Sequence, residues 1–322
     1  MEQSRKDEDQ KLPNRRVERL RRVLRLRKKP DLHADMRFGK GWYKRNFLSE
    51  VLLPSLFTPR HGSPKRVEFP KLSGNQICVT WIGHASFLIQ TREHNLVIDP
   101  IWANWLKVIK RLKHPGIELH DLPQIDLVLV SHAHFDHLDK KTLRAIADKQ
   151  PIVVPEHVGS LVHGLGFNMV REMRRWEVFD YRGLRITLTP AQHWGARVLH
   201  DSHRSFGGFL IEWEGKTVFH AGDTAYFSGF KEIGQRFSID LALLPIGAYD
   251  NLSRRDVHMN PEQALQAFVE LRAQTLIPMH YGTFRLSYES LEEPPERLLR
   301  AAEALGLSPR VQVLVEGEPR IF

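Results

Sequence analysis

Three histidines and an aspartate fall within the six positions His132-Ala133-His134-Phe135-Asp136-His137. Neutral imidazole and ionised carboxylate are the donors that borderline divalent ions such as zinc accept. The apolar run Ile125-Asp126-Leu127-Val128-Leu129-Val130 comes just before and reads as a buried strand, so the cluster stands where a strand hands over to a loop. His132 and His134, two positions apart, leave an extended backbone on the same side, whereas Asp136 and His137 point elsewhere. That divergence suits two metal ions better than one. The chain holds 17 histidines in 322 residues, and at that density the pattern arises by composition alone in roughly one chain in a few hundred.

Two metal ions need more donors than this cluster offers, since each zinc takes four or five. Three candidates stand at the ends of other strand-like runs. His193 follows Ile186 to Gln192, Asp223 follows Thr217 to His220 through the small pair Ala221-Gly222, and His280 follows Thr275 to Met279. His84 and Asp99 end earlier runs; they either hydrogen-bond ligand imidazoles from behind or are purely structural. His94, His114, His120, His157, His200, His203 and His220 have no spacing that demands a role. Cys78 is the single cysteine, which excludes an internal disulfide and leaves nitrogen and oxygen to hold any zinc.

The elements behind these residues are short. Ile77 to Ile82, Ser86 to Thr91 and Asn95 to Ile98 read as antiparallel strands separated by turn residues. Further strands are expected at 125–130, 152–154, 184–188, 209–213, 217–220, 241–244 and 275–278. Helices are expected over 140–149 and over 261–271, the latter with Asn260 as N-cap and Pro261 at its first position. Strands in two groups, each with helices, imply two sheets packed face to face with helices outside. Residues 41–76 read as an irregular lead-in, and 77–322 as the chemical domain.

Residues 1–40 carry 14 Lys and Arg against 7 Asp and Glu, so of the chain's net +9 only two charges belong to the rest. The basicity is that of an N-terminal arm, which argues against nucleic acid as the partner of the body. Within the arm, Pro13 to Lys29 reads as a short basic amphipathic helix that either meets anionic lipid or docks on its own domain. With no apolar run long enough to span a bilayer and no leader, a cytoplasmic location is expected, with peripheral contact to a membrane's inner face through the arm.

In chain order the donors read His-x-His-x-Asp-His, then His, then Gly-Asp, then His, and this order is similar to that of the metallo-β-lactamase fold superfamily. Trp81-Ile82-Gly83-His84-Ala85, Pro190-Ala191-Gln192-His193-Trp194, Ala221-Gly222-Asp223-Thr224-Ala225-Tyr226, Phe230-Lys231-Glu232-Ile233-Gly234, Leu244-Pro245-Ile246-Gly247-Ala248-Tyr249 and His280-Tyr281-Gly282-Thr283-Phe284 resemble N-acylphosphatidylethanolamine-hydrolysing phospholipase D and its bacterial relatives. The resemblance implies an α+β fold, a four-layer αββα sandwich with its ligands in a groove between sheet edges. It implies that His132, His134 and His193 hold one zinc, that Asp136, His137 and His280 hold a second, and that Asp223 bridges the two Zn2+ ions. His258 resembles a family histidine near the substrate phosphate, a phosphate donor or general acid. The family commonly has Trp where this chain has Tyr281, a change that bears on substrate handling and places Tyr281, with Tyr249, among the substrate-side candidates.

Two zinc ions can share a hydroxide, each lowering the pKa of bound water from about 16 toward about 7, so the nucleophile is a water and no covalent serine or cysteine intermediate is needed. The reaction implied is a phospholipase D-type one: hydrolysis of an N-acylphosphatidylethanolamine-like phospholipid to an N-acylethanolamine and phosphatidate. Neighbouring branches make a lactonase or other small-molecule metallohydrolase the alternative. A nuclease is disfavoured by the near-neutral body, and a metal-free scaffold by the complete donor set. The resemblance also implies a homodimer.

Overall fold

Two β-sheets face each other in the computed structural model, which describes residues 45–197, 201–251 and 256–322. The arm at 1–40 and its expected helix lie outside the described residues. The lead-in is less irregular than expected: a wide-turned helical stretch, Leu48–Leu52, runs on into α1 (Leu53–Phe57).

The first sheet is built from β1 (Cys78–Gly83), β2 (Ser86–Gln90) and β3 (Asn95–Ile98), then, beyond a small hairpin of β4 (Trp105–Leu106) and β5 (Ile109–Lys110), β6 (Leu127–Leu129), β7 (Pro151–Pro155) and β8 (Met169–Met173). The second takes β9 (Val178–Tyr181), β10 (Leu184–Thr189), β11 (Gly208–Trp213), β12 (Lys216–His220), β13 (Leu241–Pro245) and β14 (Thr275–Met279). The last strand, β15 (Pro319–Ile321), returns to the first sheet beside β1. The orders are β15-β1-β2-β3-β6-β7-β8 and β14-β13-β12-β11-β10-β9.

Burial explains the sandwich. Trp81, Phe87, Ile89, Ile98 and Leu129 from the first sheet join Ile186, Leu188, Phe209, Ile211 and Phe219 from the second in one cluster. Residues one position out of step, Leu88, Val97, Val128, Ile152 and Val154, form a separate cluster with Leu138 and with Leu143 of α2 (Lys140–Ile146). That is the two-residue period of strands buried on both faces. On the second sheet α3 (Gly229–Arg236), α4 (Pro261–Leu271) and α5 (Glu293–Ala304) add Phe230, Ile233, Leu265, Phe268 and Leu298 to the large cluster. The result is the expected αββα sandwich.

Asn260 caps α4 as expected, accepting from Gln263 N–H at 2.8 Å, while Gln263 Oε1 accepts from Asn260 N–H at 3.0 Å. The helix expected to reach Lys149 stops at Ile146, because Ala147 turns to extended backbone at ψ 118. Strands β8, β9 and β15 and helices α3 and α5 were not anticipated. The strands are half-exposed with mixed polarity, and α5 opens on Pro294-Pro295, which hides its helical period.

Topology brings the chemistry to one end. β1 and β3 run in the same direction, since each is antiparallel to β2, and β6 is parallel to β3. By the same reasoning β10, β12 and β14 share a direction in the second sheet. His84, Asp99, Ser131 to His137, His193, Asp223 and His280 follow these six C-terminal ends.

Candidate metal centre

The loop after β6 is pinned at both ends. Asp99 accepts Ser131 N–H on Oδ1 and Ser131 Oγ–H on Oδ2, each at 2.6 Å. Asp139 caps α2, accepting from Thr142 N–H at 3.0 Å and its hydroxyl at 2.7 Å. Arg197 donates to Ala133 O and Leu138 O, both at 2.8 Å, and lies 4.1 Å from the Phe135 ring centre. Ser131 and Arg197 carry no spacing signal, and sequence reasoning missed both.

On one side of the loop His132, His134, His193 and Asp223 converge, their donor atoms all within 4.8 Å of one another. Ser131 Oγ has spent its proton on Asp99, so at 3.0 Å from His132 Nδ1 it accepts, which leaves His132 Nε2 a bare lone pair. His193 Nδ1–H donates to Val257 O at 3.0 Å, with the same consequence for its Nε2. Both lone pairs face His134 Nδ1, at 2.9 and 3.2 Å. One proton at most lies between three nitrogens, an arrangement that calls for an electrophile at their centre.

On the other side stand Asp136, His137 and His280, with His84 added. His137 Nδ1–H donates to Asp99 Oδ2 at 2.7 Å, which turns its Nε2 toward Asp223 Oδ2 at 3.2 Å and Asp136 Oδ2 at 3.7 Å. His280 Nε2 lies 3.1 Å from Asp223 Oδ2 and 3.4 Å from Asp136 Oδ2. Asp223 Oδ2 also stands 3.8 Å from both His132 and His193, so one oxygen serves the two sides. His84 Nε2 bonds Asp136 Oδ2 at 3.1 Å, and Asp99 backs His137, so both stand behind the ligand candidates.

Charge divides the two sides. Burial, then neighbouring imidazoles, holds His132 well below the usual histidine range, and burial does the same to His193 and lowers His134. For His137 and His280 burial opposes the charged form, but the carboxylates outweigh it: His137 is raised well above its ordinary value and His280 to about 9. Burial disfavours the ionised carboxylates as well, yet the surrounding histidines keep Asp136 and Asp223 well below the usual range. Protons occupy a place here that a divalent cation would fill. The donors therefore fit the metal that the fold family implies.

Three of the left-handed non-glycine residues stand at the same end. His84, Asp99 and His280 have φ of 55°, 44° and 62°, left-handed values that non-glycine residues rarely adopt. Cross-sheet hydrogen bonds hold two of them there: His280 N–H donates to His84 O at 3.0 Å and His84 N–H to Thr283 Oγ1 at 2.8 Å.

His258 belongs to the same space. Its Nδ1 lies 3.9 Å from Asp223 Oδ2, and its ring is stacked on His280 with centres 5.1 Å apart. The two tyrosines are not brought in. Tyr249 donates its hydroxyl to Glu293 Oε1 at 2.8 Å under the Arg297 guanidinium. Tyr281 packs in the core with its ring centre 4.9 Å from that of Trp81, and lines a small cavity with Ala248 and His280. The aromatic that does stand by a ligand candidate is Trp194, 42% exposed and 4.5 Å from the His134 ring.

Comparisons with known proteins bear on the family of the chain. The Beta-lactamase superfamily domain matches residues 94–281. An uncharacterized protein of Mycobacterium tuberculosis is 34% identical over 242 residues, 71% of this chain and 65% of the relative, so the chain spans somewhat less than two thirds of that protein. N-acyl-phosphatidylethanolamine-hydrolyzing phospholipase D 1 of Caenorhabditis elegans is 32% identical over 254 residues, 72% of this chain and 71% of that one. Among solved structures, Igni18, a metallo hydrolase from the archaeon Ignicoccus hospitalis, superposes with a TM-score of 0.61 at 28% identity, covering 77% of this chain and 99% of its own. This chain belongs to the beta-lactamase superfamily.

Proposed function

We propose that this chain is a metal-dependent hydrolase that cleaves the phosphodiester of an N-acylphosphatidylethanolamine-like phospholipid, releasing an N-acylethanolamine and phosphatidate. Two zinc ions are the metals proposed, one held by His132, His134 and His193, the other by Asp136, His137 and His280, with Asp223 shared. Metals bound there would supply Lewis acidity to the phosphoryl oxygens and lower the pKa of a water toward about 7.

The observation that carries a lipid substrate is the apolar surface beside the centre. Phe57 is 83% and Val108 65% exposed, and Leu48, Leu53, Leu56 and Trp105 are exposed with them. The β4–β5 hairpin that presents Trp105 and Val108 sits on the centre itself: Leu106 packs with Phe284 and Phe135, Phe284 meets His84 edge-on at 5.2 Å, and Lys107 Nζ lies 4.6 Å from the Phe135 ring centre. Lys110 Nζ joins this hairpin to α1, donating to Leu56 O at 3.0 Å and to Thr58 O at 2.8 Å. Exposed apolar side chains with flanking cations are what an anionic bilayer accepts. No helix among the described residues is long and apolar enough to cross a membrane, so contact of this kind would be peripheral.

The chain's own residues then divide the remaining work. Asp99 and Ser131 fix the tautomers of His132 and His137, and His84 orients Asp136. Burial presses His258 down to about 4, so near neutral pH its ring is uncharged and keeps one proton. That suits hydrogen-bond donation to a phosphoryl oxygen more than delivery of a full proton to the leaving alcohol.

The test is product identification with zinc-loaded protein on vesicles containing N-acylphosphatidylethanolamine, beside a panel of soluble phosphodiesters and lactones. Release of N-acylethanolamine and phosphatidate is expected. Inert vesicles together with rapid lactone hydrolysis would overturn the lipid assignment and select the small-molecule reading.

A further inference from the structure

His220 ends β12 three residues before the carboxylate shared by the two clusters, and its spacing assigned it no role. Its ring is fully buried. Nδ1 accepts from Gly222 N–H at 3.1 Å, and Nε2 donates to Ala85 O at 3.0 Å. Only the neutral tautomer with its proton on Nε2 makes both bonds. The ring therefore spans the sandwich, from the turn that carries Asp223 to the β1–β2 turn next to His84.

Gly222 gives that contact its leverage. Its φ is 61°, and a side chain there would meet Gly207 O at 2.8 Å and Ser131 Cβ at 3.0 Å. The peptide is thus held between the Ser131 loop on one face and the His220 ring, and Asp223 is the next residue. Displacing it shifts the one oxygen that stands within 3.8 Å of His132, His137, His193 and His280.

We infer that His220 is a positioning residue: through the Gly222 peptide it aims the Asp223 carboxylate, and so governs how tightly both clusters hold metal. This rests on the reading that the clusters bind metal. His94 supplies an internal contrast. It is also a buried histidine, bonding Arg182 O at 2.9 Å and meeting Trp213 edge-on at 5.1 Å, but it belongs to neither cluster.

The experiment titrates metal-free protein with zinc against a competing chelator and records the visible spectrum of the cobalt(II) form. It uses wild type, His220→Phe, His220→Asn, His220→Gln and His94→Phe, with thermal melts of the metal-free forms as the measure of folding. His220→Phe keeps an aromatic ring but neither hydrogen bond, and should lose about 10- to 100-fold in zinc affinity with an altered cobalt spectrum. His220→Asn, which places an acceptor near the Nδ1 position, should recover most of that affinity. His220→Gln, which retains only a donor toward Ala85, should not. His94→Phe should lower the melting temperature and leave affinity unchanged. Wild-type affinity in His220→Phe, or an equal loss in His94→Phe, would overturn the inference. If His220→Phe does not fold, equal affinities of the Asn and Gln variants would do the same. A wild type that binds neither zinc nor cobalt would instead remove the metal reading beneath it.

Discussion

On one side of Asp223 three imidazoles converge, with a serine hydroxyl and a peptide carbonyl behind them; on the other, two imidazoles share their space with Asp136 and have Asp99 and His84 behind. The first side is a set of neutral donors beside the exposed Trp194. The second holds the additional carboxylate of Asp136. Coulomb attraction grows with each carboxylate in a low-dielectric site, so the second side should bind its metal more tightly.

The largest effect should come from removing what the sides share. Asp223→Ala should leave less than one metal per chain by elemental analysis and lower kcat by at least about 100-fold, more than the loss typical of a residue behind a ligand. Retention of two metals would break the bridging assignment. Next, His134→Ala and Asp136→Asn should separate the sides: each should retain about one metal, and the ion retained by His134→Ala should be the harder one to remove with a chelator. Equal retention times would remove the contrast. Asp99→Asn should weaken the second side by about 10- to 100-fold, and Ser131→Ala should weaken both sides by less, because Asp99 can still accept from His137.

The smallest effect is in protons. In metal-free protein the raised pKa of His280 stabilises the fold fully below about 6.5, the ordinary histidine value, and that contribution is lost as pH rises through about 9. For His132 and His193, kept neutral by burial, the sign reverses: their contribution is present above about 6.5 and lost as pH falls below it. Calorimetry at about pH 7.5 in buffers of different ionisation heat should find about two protons released on filling the second side and close to none on filling the first. Equal release on both sides would contradict the division of charge.

Much of this centre was legible beforehand because ligand chemistry demands particular residue types at strand ends. His132 to His137, His193, Asp223 and His280 carried that signal, and so did His84 and Asp99 in their backing places. The supports were not legible. Ser131, Arg197 and His220 act through backbone peptides or through another side chain's proton, and nothing in their spacing distinguishes them from ordinary residues. In the fold, strands buried on both faces stood out by apolarity, whereas edge strands β8, β9 and β15 did not, since solvent on one side lets polar residues into them. The packing of Tyr281 was not legible either: after the left-handed His280, its ring lies against Trp81, a contact no spacing announces.

The left-handed backbone of His84, Asp99 and His280 costs about 1–3 kcal/mol at each position. Selection on stability alone has no use for such residues. In a lineage released from its reaction, glycine or asparagine would be expected to spread at these positions first, so the sandwich could outlive its chemistry.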